Sequence, residues 1–339
     1  MNASNTKIQS PRTLIEAVQF FSDMDTAHAY FTQMRWPNGA VCPHCGSTDV
    51  KYLAKYRRFQ CSKNHDRRQF TLKTGTVMED SPLGLDKWAV AFWLEVNAKN
   101  SISSYEVHRA LGVTQKSAWF MQQRVRLAMQ SGSVAKMTGA IEADETYIGG
   151  LARNMHAHKR AQKIKGTGVV GKTAIMGLLE RHSENGKSQV RVKVIANAQG
   201  ETLKAEIRTH VEAGAALYTD SHRGYIGLAN EFAHEFVDHA ECYVRGAVHT
   251  NGLENFWSLF KRCIKGTHVS VEPFHLFRYV DAEAFRFNNR KMNDGMRFDA
   301  VIGKIVGKRL TYKALIGKKG FPTNLLDLAS SEESESLPN

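Results

Sequence analysis

Residues 138–150, TGAIEADETYIGG, decide the fold, because a helical pattern ends here and an alternating one begins. Ile141 and Ala143 alternate with Glu142 and Asp144, the period-two signature of a half-buried strand, predicted over 139–147. Working outward, strands are predicted at 172–180 and 189–195, a helix at 201–213 and a strand at 215–219. A short helix at 223–231, a strand near 235–238 and a helix from about 251 to 264 follow. The order is βββαβαβα.

That order, three antiparallel strands followed by alternating helices and strands, is the order of the ribonuclease H-like α/β fold. Three acids fall where that fold carries metal ligands: Asp144 in the first strand, Asp220 at the end of the fourth (ALYTDSHRGY) and Glu254 on the last helix (HTNGLENFWS). Two carboxylates 4 Å apart repel by roughly 4 kcal/mol at an effective dielectric near 20. Two Mg2+ (or Mn2+) ions would remove that cost. One would activate a water or 3′-hydroxyl nucleophile and the other stabilise the leaving oxygen, so the chemistry expected is phosphodiester chemistry. Alternatives stay open at each acid. Glu142, Asp144 and Thr146 share one strand face and Glu145 takes the other. Asp220 could instead cap the helix that follows it. Asn251 lies one helical turn before Glu254 on the same face and could bind metal too, and Lys261 lies two turns after it.

The whole chain has 339 residues, with 46 Lys and Arg against 33 Asp and Glu, a net charge of +13. This suits two or three domains and a polyanionic partner, with nucleic acid ahead of an anionic membrane surface. No uncharged apolar run of about 18 residues occurs, and the start MNASNTKIQS lacks an apolar signal stretch, so membrane and secreted classes are excluded. Three of five cysteines cluster in CPHCG and FQCSKNH. The C-x2-C and C-x3-H spacing offers Cys42, Cys45, Cys61 and His65 as four ligands for structural Zn2+, with His44 the weaker candidate. Val50 to Leu53 and Arg57 to Gln60 read as the two strands of a zinc ribbon, preceded by short helices over Thr13 to Phe21 and Thr26 to Met34. Lysines and arginines interleaved with Tyr52, Tyr56, Phe59 and Phe70 suit a phosphate-tracking surface, or simply a solvated charged face.

Between Asp86 and Met129 the pattern is helical, with Trp88, Phe92 and Val96 forming one core stripe. SSYEVHRALGVTQKSAWFMQQRVRLAM then has helix-turn-helix cadence, with a turn at Gly112, a cap at Thr114 and Lys116, Arg124 and Arg126 on the second helix as DNA contacts. A plain helical packing unit is the competing assignment. No acid occurs between Glu145 and Glu180, whereas Arg153, Lys159, Arg160, Lys163 and Lys165 do occur, a basic loop expected against a DNA backbone. GTGVVGKT, 166–173, matches a P-loop letter for letter, but a polar segment precedes it and a strand follows, so no nucleotide site is expected. The acidic tail DLASSEESESLPN, from Asp327, reads as disordered.

Taken together, RWPNGAVCPHCGS, FTLKTGTVMEDSPLGLDKW, SSYEVHRALGVTQKSAW, IEADETYIGG, TDSHRGY, VHTNGLENFWSLFKR and HLFRYVDAEAFRFNNR resemble the insertion sequence 1595 group of bacterial transposases, related to the Merlin elements of eukaryotes. The resemblance covers nearly all of the chain. It implies a zinc ribbon, a helical DNA-binding segment and a DDE-type domain that cuts and joins element ends with divalent metal. It favours Asp144 over Glu142, adds Asp220 and Lys261, and leaves the third ligand as Asn251 or Glu254, since some members carry Asn there. The expected layout is 1–80 for N-terminal helices and ribbon, 81–135 for the helical DNA-binding segment, 136–300 for the catalytic domain and 301–339 for a C-terminal extension. The expected partners are double-stranded element ends and target DNA, with a homo-oligomer assembling on them in the bacterial cytoplasm at the nucleoid. A transposase-derived regulator without catalysis, and a nuclease that does not rejoin, are the alternative functions.

Overall fold

The computed structural model describes residues 8–130, 132, 135–150, 156–163, 171–182, 186–237 and 248–317. The elements, in chain order, begin with α1 (Leu14–Ser22), α2 (Met24–Arg35), β1 (Val50–Leu53), β2 (Arg58–Cys61), β3 (Gln69–Phe70), α3 (Leu85–Asn97), α4 (Ser104–Leu111) and α5 (Gln115–Met129). They continue with β4 (Ala140–Ile148), α6 (Ala157–Lys163), β5 (Thr173–Arg181), β6 (Gln189–Ile195), α7 (Gly200–His210), β7 (Ala216–Asp220) and β8 (Ala233–Val237). Last come α8 (Asn251–Arg262), α9 (Leu276–Asn288), α10 (Asp294–Ile302) and α11 (Tyr312–Leu315). Contacts divide the chain into two compact units, one made of residues up to Met129 together with those from Met292 onward, the other running from Gln130 to Lys291.

In the first unit a three-stranded antiparallel sheet, β1-β2-β3, forms the ribbon, and helices form the rest. Phe59 and Phe70 stack between neighbouring strands beside Cys42 and Cys61, a core too small to hold thirty residues without help. On α3, Trp88, Phe92 and Val96 are buried as their spacing requires. α4 opens with a reciprocal capping box between Ser103 and Glu106 and ends at Gly112, whose φ of 60° is the left-handed conformation that glycine adopts without strain. Thr114 caps α5 through Ser117 N–H at 3.1 Å.

α5 departs from the expected DNA-reading helix. Every residue from Met121 to Met129 is buried, so the polar side chains Gln122, Gln123, Arg124 and Arg126 face protein. Arg126, 1% exposed, pairs at 2.8 Å with Glu95 of α3, 0% exposed, whose other oxygen accepts from Gln122 at 2.9 Å. Arg124 donates to the carbonyls of Leu310 at 3.1 Å and Glu79 at 2.9 Å and lies 4.2 Å from the Phe120 ring centroid. Burial pushes its pKa down to about 10. The assignment of Arg124 and Arg126 to DNA is therefore corrected: their donors are used in joining α5 to its own unit. Lys116, on the first turn, is exposed beside Tyr312.

The second unit is a five-stranded mixed sheet in the order β6-β5-β4-β7-β8. β4 pairs antiparallel with β5, which pairs antiparallel with β6, whereas β4–β7 and β7–β8 are parallel. Helix α7 covers one face, through Leu203 and Ile207 against Ile141, Ala143 and Leu217. On the other face Leu253, Phe256, Trp257 and Phe260 of α8, joined by α9, pack on Ile175, Leu179 and Val190. β5 reads AIMGLLE because it is buried on both faces. The expected helix at 223–231 is instead two short 3-10 turns, Arg223–Tyr225 and Leu228–Asn230, separated by Gly227 at φ 91°. The basic segment after β4 holds a short helix, α6, and no helix opens behind Gly171, where Thr173 starts β5; this is not P-loop geometry. Residues 166–170 of that stretch, and the acidic tail, lie outside the described residues. Among the described residues no helix is long and apolar enough to cross a membrane.

Candidate metal centres and nucleic-acid interface

The ribbon brings its four expected ligands together. The ligand atoms of Cys42, Cys45, Cys61 and His65 all lie within 4.8 Å of one another. Cys42 Sγ is 3.5 Å from His65 Nε2, and Cys45 Sγ is 3.6 Å from Cys61 Sγ. These are the edge lengths of a tetrahedron with metal–ligand bonds near 2.0–2.3 Å, so the donor set fits Zn2+. Burial pushes the Cys61 thiol up, but hydrogen bonds from His65 and from backbone outweigh it and hold the group at about 7, closer to the thiolate that zinc requires. His44 stands outside the group, its ring 6.1 Å from that of His65. This cluster supports a structural zinc.

The second centre is assembled on the sheet. β4 and β7 are parallel, with Glu142 opposite Tyr218, so two residues further along Asp144 and Asp220 stand side by side on neighbouring strands. Asp144 lies on the face covered by α8, where its Oδ2 accepts from the indole N–H of Trp257 at 3.0 Å and its Oδ1 from Glu145 N–H at 2.8 Å. That approach depends on Gly177, which pairs with Asp144 across β4 and β5; a Cβ there would lie 2.6 Å from the Trp257 ring. Burial, then the charges of Glu145 and Asp220, push Asp144 up to about 7. An added positive charge is favoured at such a place.

Asp220 also serves the local turn, since its Oδ1 accepts His222 N–H at 3.0 Å. Both uses foreseen for it coexist. Glu145 does point to the opposite face, where its Oε2 accepts from Tyr225 at 2.5 Å and its Oε1 lies 3.5 Å from His222 Nδ1. Burial raises its pKa as well. Glu254 and Asn251 are exposed on the first turn of α8, Glu254 three residues before Trp257, and Lys261 is half-buried on the last turn. Among the described residues the ribbon set is the one group of three or more ligating side chains already within reach of a single ion. Asp144 and Asp220 are brought together, while Glu254 is carried to the same face without closing to that distance.

Of the basic residues expected at DNA, Lys116 and Arg160 are exposed. Arg153 and Lys165, and the side chains of Lys159 and Lys163, lie outside the described residues. Trp257, Gly177 and Tyr225 went unread in the sequence. The one available signal was WSLF following NGLEN, which puts Trp257 on the same side of the helix as Glu254.

Comparison with known proteins agrees with both centres. The ISXO2-like transposase domain matches residues 136–288, and the transposase zinc-ribbon domain matches residues 22–66. An uncharacterized protein in transposable element ISH50 of Halobacterium salinarum is 29% identical over 273 residues, covering 75% of this chain and 87% of that protein. No solved structure matches. With a ribbon and a mixed-sheet domain each matched to its counterpart, the chain belongs to the insertion sequence 1595 family of transposases.

Proposed function

We propose that the chain binds the ends of a DNA element and carries out metal-dependent phosphodiester hydrolysis and strand transfer, with Asp144, Asp220 and Glu254 as the catalytic carboxylates. The observation that carries this reading is the pairing of Asp144 and Asp220 on adjacent parallel strands, with Asp144 pushed to about 7 by burial and by neighbouring acids. Divalent cations held there would offset the carboxylate repulsion and supply a Lewis acid at the phosphoryl oxygen. The strand order, three antiparallel followed by two parallel, supports a ribonuclease H-like reading of the domain.

Trp257 orients the Asp144 carboxylate and, with Leu253 and Phe256, keeps water from its protein side. Asn251 and Glu254 share the exposed side of the same helix turn, from which either could complete the site. Lys261 would contribute positive charge at the far end of that helix. Lys116, and the basic segment around Arg160, would hold phosphates through charge, in protomers assembled on double-stranded DNA in the cytoplasm at the nucleoid. Glu254→Gln is expected to abolish strand transfer while leaving end binding intact. Full strand transfer by Glu254→Gln combined with its loss in Asn251→Ala would move the role to Asn251; full activity of both would refute a third ligand on α8.

A further inference from the structure

Glu142 sits on the same face of β4 as Asp144, two residues away, yet its surroundings are of another kind. It is 1% exposed, and both carboxylate oxygens are engaged. Oε2 accepts Leu253 N–H at 2.9 Å, and Oε1 accepts Arg181 Nε at 2.6 Å with His249 Nδ1 at 3.6 Å. Arg181 in turn donates to the His249 carbonyl at 2.5 Å and lies over the Tyr218 ring at 4.7 Å. Leu253 belongs to the first turn of α8, whose flanking Thr250 supplies no side-chain cap. A helix start has amide groups without partners inside the helix and the positive end of the helix dipole, so a carboxylate aimed there acts as a cap supplied from another element. The approach leaves no room for a side chain at Gly252, where a Cβ would lie 2.9 and 3.0 Å from the Glu142 oxygens and 3.1 Å from Leu179 Cδ1.

We propose that Glu142 is a positioning residue, which, locked by Arg181 and His249, seats the first turn of α8 on the strand that bears Asp144 and so sets where Asn251 and Glu254 stand. It acts through those residues and is not a metal ligand, because N–H donors already occupy both oxygens. The consequence for metal rests on the function proposed above; the seating of the helix does not.

The test uses zinc-loaded full-length protein without DNA. Hydrogen exchange is followed at the Leu253 and Glu254 amides, and Mn2+ affinity is measured by titration. Glu142→Gln removes the charge and half the acceptor capacity. Gly252→Ala keeps the Glu142–Arg181 pair but wedges a methyl between carboxylate and helix, and it should weaken the site although alanine favours helix over glycine. Both variants are expected to exchange the Leu253 amide at least about tenfold faster and to bind Mn2+ about tenfold or more weakly, the usual effect of losing an outer-shell partner. Unchanged exchange in either folded variant overturns the proposal, as does Glu142→Gln abolishing Mn2+ binding while Gly252→Ala retains wild-type affinity, the pattern of a direct ligand. If Glu142→Gln does not fold, Gly252→Ala decides alone. Wild-type protein that binds no Mn2+ overturns the catalytic reading, and amide exchange still decides the seating.

Discussion

Replacing Asp144 by Asn should stabilise the protein when no divalent cation is added, an unusual outcome for a residue of a candidate active site. Burial and the charges of Glu145 and Asp220 lift this carboxyl from 3.8 to about 7, against the opposing hydrogen bonds from Glu145 N–H and Trp257. At about 1.4 kcal/mol per pH unit, that rise corresponds to at most about 4 kcal/mol of native-state cost above pH 7. The folded protein holds this proton more tightly than the unfolded chain does, so the group's contribution is fully present below pH 4 and is lost as pH rises through about 7. Asn removes the charge but keeps one of the two acceptor positions, so about 1 kcal/mol is returned. The expected net gain is about 1–3 kcal/mol at pH 8, and no gain at pH 4. Urea unfolding of zinc-loaded wild type and Asp144→Asn at the two pH values measures it. Added Mn2+ should then stabilise the wild type and not the variant, by the ordinary linkage between binding and folding. Equal destabilisation of Asp144→Asn at both pH values, with no response to Mn2+ in either protein, would refute the electrostatic account of this site.

Three further outcomes are expected. Stripping the ribbon of zinc, or Cys61→Ser, should unfold β1 to β3, because structural zinc is worth about 10–16 kcal/mol of apparent binding energy; zinc content of one per chain and loss of amide protection in 50–70 on chelation would check it. Gly177→Ala should cost about 1–3 kcal/mol by driving a methyl into Trp257, and should shift the tryptophan emission as the Asp144 hydrogen bond is lost; denaturant titration with fluorescence detection reads both. Arg126→Met should destabilise by about 3–5 kcal/mol by leaving the Glu95 charge buried, whereas Lys116→Ala should weaken DNA binding with an unchanged melting temperature.

The parts of the molecule legible in the sequence are those whose signal is local. Alternation around Asp144 placed β4 within a residue of its observed ends, and the spacing of Cys42, Cys45, Cys61 and His65 named all four members of the metal cluster. What escaped depends on a residue far away in the chain. Polar letters on α5 suggested a solvent face, but Glu95 on another helix makes a buried partner for Arg126. Trp257 reaches Asp144 only because Gly177, eighty residues before it, has no side chain, and no periodicity carries that information. Glu142 could be read as a ligand or as a structural acid until Arg181 and the amide of Leu253 were seen to occupy it.

The central claim is that this domain breaks and rejoins the DNA backbone at Asp144 and Asp220. Its most direct test incubates the protein with labelled duplexes bearing the element's end sequences and an unlabelled target, with and without Mg2+ or Mn2+, and resolves the strands. The claim predicts cleaved ends and joined products that require the cation and vanish in Asp144→Asn and Asp220→Asn, both of which still bind the ends. Ends bound but never cut by the wild type with either cation, or cut equally well by both variants, would contradict it.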